Sequence, residues 1–175
     1  LLKQDQALLG IKNEDEDDLA KNARVKSSSE TSDGSAENIL DGINRDIADG
    51  KTHQWRASLE NGEQWIELKW KKPVRINQIQ LTFFTGLDRF LRMSPQDWVY
   101  NDQVRGAQPE TIAAYTIEAE TNDGAKKIVD IDNNYLRLAS HSFEEISAKS
   151  IRINVTKSHG DKLARLFEVR CYLEN

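Results

Sequence analysis

Residues 37–55 read ENILDGINRDIADGKTHQW and concentrate side chains able to hold a ligand or an ion. Asp41, Asp46 and Asp49 bring carboxylates, and Asn38, Asn44 and Thr52 bring amide and hydroxyl oxygens. Gly42 and Gly50 let the backbone turn. This makeup suits a turn, a metal loop or a ligand loop. A hard cation such as calcium takes about six to eight oxygens at roughly 2.3–2.6 Å. The stretch also holds His53 and ends on Trp55, with Arg56 following. A second oxygen-rich run, DIDNNY at 130–135, has the opening spacing of a calcium loop. That loop needs Gly where Tyr135 stands and Glu where His141 stands, so the run reads as a turn between strands.

Catalytic patterns are absent from the sequence. His53, His141 and His159 lie far apart, and none belongs to a metal spacing of the His-Glu-x-x-His kind. No Gly-x-Ser-x-Gly elbow, phosphate loop or Gly-x-Gly-x-x-Gly turn occurs. With 29 acidic residues, carboxylate pairs arise by chance and mark no hydrolytic site. The single cysteine, Cys171, sits in the alternation FEVRCY and reads as a small core residue. The chain alone is expected to be no enzyme.

The elements that must position these residues are mostly strands. At 175 residues the chain suits one domain with one core and a short appendage. A net charge of −5 and scattered basic residues argue against nucleic-acid binding. No apolar run approaches the roughly 18 residues that span a bilayer. The chain begins on Leu1 and is expected to be part of a longer protein, with the native amino terminus and any export signal lying elsewhere. Residues 1–23 read as an extended lead-in and a short helix, with Asn13 as N-cap and acids in the first turn. From Trp65 onward, WIELKW, INQIQLTFF, AAYTIEAE, KKIVDI, YLRLAS, KSIRINVT and RLFEVRCYL each alternate apolar and polar residues. Turns are expected at 60–62, at Pro73 and at Asn122-Asp123-Gly124. About eight antiparallel strands over 24–175 predict a β-sandwich or jelly roll. The connection 85–112 is too long for a simple turn. It is either a functional loop or a flap with Trp98 and Tyr100 packed inward.

ENILDG with Thr52 and Trp55, then WIELKW, a proline and INQIQLTFF, and finally ARLFEVRCY, resemble the discoidin or coagulation-factor type C domain. This domain is a galactose-binding-like β-sandwich. The lead-in resembles the segment joining bacterial FAD-dependent oxidoreductases, labelled putative xanthan lyases, to a carboxy-terminal domain of this kind. The resemblance implies a calcium ion held by Asn38, Asp41, Thr52 and Glu168, with Asn44, Asp46 or Asp49 completing the set. Nine residues separate Gly42 from Thr52, more than in the usual loop. Without an ion, Asp41 would cap a turn, Arg45 would pair with Glu168 and Trp55 would plug the core. The resemblance further implies an accessory carbohydrate-binding role in a periplasmic or extracellular protein. Trp98, Tyr100, Arg89, Arg92, His53 and Arg56 are the candidate sugar contacts. The alternative role is a structural domain docked on the catalytic part of its parent.

Overall fold

The computed structural model describes residues 12–87, 96–101 and 103–174, and the side chains of Val99 and Tyr100 fall outside the description. Seven strands form among the described residues: β1 (Arg24–Ser27), β2 (Trp55–Ser58), β3 (Gln64–Phe83), β4 (Ile112–Thr121), β5 (Gly124–Ile131), β6 (Leu138–Ser158) and β7 (Leu163–Tyr172). One short helix, α1 (Asp97–Asn101), lies in the long connection. Neighbouring strands run in the order β2-β7-β3-β6-β4-β5, with β1 added on β3, and every pairing is antiparallel.

The expected runs WIELKW and INQIQLTFF are one strand of 20 residues, β3. YLRLAS and KSIRINVT likewise join in β6, of 21 residues. Strands this long exceed the usual length, and they bend. Between Lys69 and Val74, five residue steps on β3 span two on β6; past Ile76, β6 carries the surplus. Pro73 therefore sits in a bulge rather than a turn, where its missing N–H costs no ladder bond. The first half of β3 pairs with β1 and the far half of β6, which carries β4 and β5. Its second half pairs with β7, which carries β2. The single ladder thereby doubles back into two facing layers, the expected sandwich.

Alternation fills the space between the layers. Ile66, Leu68, Ile79, Leu81, Ile117, Ile151, Ile153, Val155 and Val169 are fully buried. Phe83 of one layer meets Tyr115 of the other with ring centroids 5.2 Å apart. The Tyr115 hydroxyl and Nε2 of His141 then share a hydrogen bond of 2.8 Å across the core. Trp55 is buried, and its indole N–H donates to the Ser29 carbonyl at 3.0 Å, so it closes the core as a plug. Cys171 is a free, fully buried thiol. In the β4–β5 hairpin the positive φ falls on Gly124 alone.

The lead-in differs from its expected form. Its helix is one 3₁₀ turn, Leu19–Asn22, capped by Asp18 rather than Asn13. Asn13 instead closes a small turn by accepting from the Asp15 amide. Asp18 is 2 % exposed and accepts from the amides of Ala20 at 3.0 Å and Cys171 at 3.1 Å. Burial pushes its carboxyl up, against these bonds, a third from Asn13 and the attraction of Arg170. Trp70, at the bend, donates to the Leu19 carbonyl at 2.8 Å.

Asp18→Ala strands two buried amides, a loss of about 1–3 kcal/mol. Urea denaturation should show a lower midpoint with an unchanged slope.

Candidate functional site

Strand tips gather at the end of the sandwich opposite the bend. There β3 leaves at Phe83 and β6 enters at Leu138; β4 begins beside the end of β6, with Ile112 opposite Ser158. Backbone bonds lace the loops together: Phe83 N–H to Arg137 O at 2.7 Å, His159 N–H to Thr111 O at 3.1 Å, and Leu59 N–H to Lys162 O at 2.8 Å. Among these loops lies a cleft of about 450 Å³ lined by Thr85, Gly106, Ala107, Gln108, Thr111, Asn133 and Tyr135.

Asn134 makes this cleft rigid. Its amide side chain donates to the carbonyls of Ile112 at 2.8 Å and Leu136 at 3.2 Å and accepts from the Leu136 amide at 3.1 Å. Its backbone carbonyl lies 2.6 Å from His159 Nε2. Since a carbonyl only accepts, the ring hydrogen belongs on that nitrogen. Between the fixed Asn134 and the strand, Tyr135 projects with 68 % of its surface exposed. Thr111 shows the opposite: it is 1 % exposed, and its hydroxyl has no hydrogen-bond partner among the described residues. A buried hydroxyl without a partner is costly. The arrangement therefore offers an aromatic face beside fixed amides and hydroxyls.

The oxygen-rich loop sits near this end, because Arg137 donates to the Asn44 carbonyl and stacks 5.1 Å from the Phe167 ring centroid. Residues 36–40 form a 3₁₀ turn. Asn38 donates from its amide to the carbonyls of Thr52 and Gln54, both at 2.9 Å. Asp41 accepts from the Ile43 amide at 2.7 Å and holds Nδ1 of His53 at 2.6 Å; Asp49 holds Nε2 of the same ring at 2.9 Å. Burial lowers the His53 pKa, but hydrogen bonds and attraction from Asp41 and Asp49 together raise it above the ordinary 6.5. Fully buried Gln54 joins Asp46 at 3.0 Å to Arg56.

Asn38, Asp41 and Thr52, named by the resemblance for calcium, thus share one loop. Glu168 lies buried on β7, paired at 2.8 Å with Arg170 rather than Arg45. Burial raises its carboxyl despite that partner. As arranged, the Ile43 amide and the His53 ring place donors on both oxygens of Asp41, which a cation would need. No group of three or more His, Cys, Asp or Glu among the described residues is placed to hold a metal. The set as it stands does not fit the ion.

Of the proposed sugar contacts, Trp98 lies on α1 and is 58 % exposed, with its indole N–H donating to Gln96 at 2.7 Å. It is not packed inward as the flap reading required. Arg89, Arg92 and the side chain of Tyr100 lie outside the described residues. Arg56 is tied to Asp33 at 2.7 Å, and its Cβ would lie 2.4 Å from any Cβ at Gly34, so that close approach requires glycine. Sequence reasoning missed Tyr135, Gln108, Asn133, Thr85 and Thr111. Tyr135 entered it only as the start of the alternating run YLRLAS and as the residue that spoils a calcium loop.

Residues 18–162 match the family model described as a domain of unknown function (DUF7402), and the chain belongs to that family. No curated protein sequence matches it. The fold is shared with solved structures of low identity. A family 32 carbohydrate-binding module from Streptococcus pneumoniae EndoD is 16% identical, with TM-score 0.66 over 90% of this chain and 99% of that one. Chitosan-binding module 1 of a chitosanase/glucanase from Paenibacillus sp. IK-5 is 17% identical, with TM-score 0.64 over 89% and 98%. The family 32 module of C. perfringens NanJ, in complex with galactose, is 17% identical, with TM-score 0.62 over 88% and 96%. The chain shares its β-sandwich fold with these modules.

The pKa values of His53 and His141 should be displaced in opposite directions. His53, raised by its two acids, contributes stability that is complete below about pH 6.5 and lost as pH climbs through its higher folded value. Burial lowers the pKa of His141, so stability falls as pH drops below about 6.5. Because the two losses fall on opposite sides of about pH 6.5, total stability peaks there without naming either group, and residue-resolved NMR is the informative measurement. The His53 ring shifts should titrate above the ordinary value, and Asp41→Asn should bring that midpoint down.

Proposed function

We propose that this chain is a non-catalytic carbohydrate-binding module, accessory to a larger protein acting outside the cytoplasm. The observation that carries the reading is the cleft in which exposed Tyr135 stands beside the unpartnered hydroxyl of Thr111. An aromatic face covers the apolar side of a sugar ring, while amides and hydroxyls exchange hydrogen bonds with the ring's own hydroxyls. Gln108, Asn133 and Thr85 line the same cleft. The fold shared with modules named for chitosan binding and solved with galactose supports this class of ligand by analogy. In place of calcium, a protonated His53 between Asp41 and Asp49 closes the oxygen-rich loop. Calcium added to a chelated sample should then leave the melting temperature unchanged, whereas a rise would mean that the loop rearranges around the ion.

The second reading is a domain docked on the catalytic part of an FAD-dependent oxidoreductase. Leu87, Leu136 and Leu138, exposed near the same strand tips, favour it. Calorimetric titration with galactose, N-acetylgalactosamine and chito-oligosaccharides separates the two. A module binds at least one of them, and Tyr135→Ala weakens that binding about tenfold or more, or about 1.4 kcal/mol. The substitution should leave the melting temperature in place, since the ring is largely solvent-exposed. Absence of binding, with self-association through the loop end, would favour docking.

A further inference from the structure

A second groove lies at the bend, remote from the loop cleft. It encloses about 530 Å³ and is lined by Arg24, Lys26, Lys69, Trp70 and Lys71. The protein carries a net charge of −5, yet no carboxylate lines this groove. None of its four cations has an ion pair among the described residues. Arg56, Arg75, Arg152 and Arg170, in contrast, all face acids.

Strand pairing gives these charges order. Arg24 lies opposite Lys69 across the β1–β3 pair, and Lys26 lies opposite Glu67. Residues 67, 69 and 71 alternate with buried 66, 68 and 70, so Lys69 and Lys71 share the outer face. Glu67, the acid that would interrupt the row, is turned to Arg152 at 3.3 Å and Ser150 at 3.2 Å. Positive charge therefore runs from Lys26 past Arg24 and Lys69 to Lys71, four residues of strand or about 13 Å. Arginine offers a fork to a carboxylate or sulfate, while lysines act as point charges beside it. Trp70 is 6 % exposed, its indole committed to Leu19, so the groove has no flat ring on which a nucleic-acid base could stack.

We propose that this groove binds a linear anionic glycan, one bearing carboxylates or sulfates along its length. A row of unpaired cations matches repeated negative charge better than a single small anion. The proposal rests on the sugar-binding reading only for the class of polymer, and it places the contact at a different site.

The test is affinity electrophoresis and calorimetry of the whole chain with oligogalacturonate, sulfated dextran and single-stranded DNA, at about 0.05 M and about 0.5 M salt. The expected result is binding of a glycan but not of DNA, strongest at low salt. The variant Lys69→Ala/Lys71→Ala should weaken it about tenfold or more. A charge-matched control, Lys126→Ala/Lys157→Ala, and Tyr135→Ala should leave it intact. Absence of glycan binding, equal binding of DNA, or equal loss in the control pair would overturn the proposal. Neutral-sugar binding lost only in Tyr135→Ala reports separately on the loop cleft. All four lysines are exposed, so their variants should fold.

Discussion

Everything in this molecule hangs on the pairing of β3 with β6 through a shared bend. Each strand serves both layers, so the two sheets are halves of one ladder. A slip by one residue would turn both inward rows outward, in both layers together. The surplus residues near Pro73 absorb the curvature, and they also leave Lys71, Lys72 and Pro73 in water. The same doubling back brings the tips of β3 to one end, where the loops knit into a cleft, and leaves the basic groove at the bend.

Alternation was the readable part of the sequence, because period two follows from pleating and needs no knowledge of the partner strand. It identified the sandwich and the alternating runs that make up β3 and β6. It divided each long strand in two, because Pro73 and the polar residues near the bend look like turns when curvature is unseen. The lead-in cap was misplaced for a related reason: Asn13, Asp15, Asp17 and Asp18 all suit a cap. Asp18 wins through the amide of Cys171, which lies 153 residues away. The site residues were least visible. Tyr135 gains its meaning from Asn134 binding back to β4, and the basic groove appears only when residues 24–26 are paired with 67–69. Scattered charge in the chain is aligned charge in the sheet.

The oxygen-rich loop shows how one composition admits two chemistries. Carboxylates, amides and carbonyls suit a hard cation, and they suit an imidazolium equally well once a histidine reaches between two of the acids. His53 does so from within the loop itself, while Asn38 ties the loop's far carbonyls. The lengthened segment between Gly42 and Thr52 supplies Asp49 for the second ring nitrogen. Extra length here provides a partner rather than slack.

Asp18 closes the edge of β7 that faces away from β3, where no described strand pairs beyond the short β2. The lead-in is therefore completed by the last described strand of the domain. Until β7 is synthesised, the lead-in has no amide at Cys171 to accept from, and Trp70 and its neighbours at the bend lack their cover. Contacts of such sequence separation slow folding. They also couple the two ends, so that assembly of this domain is a single late event rather than a progression from the amino terminus.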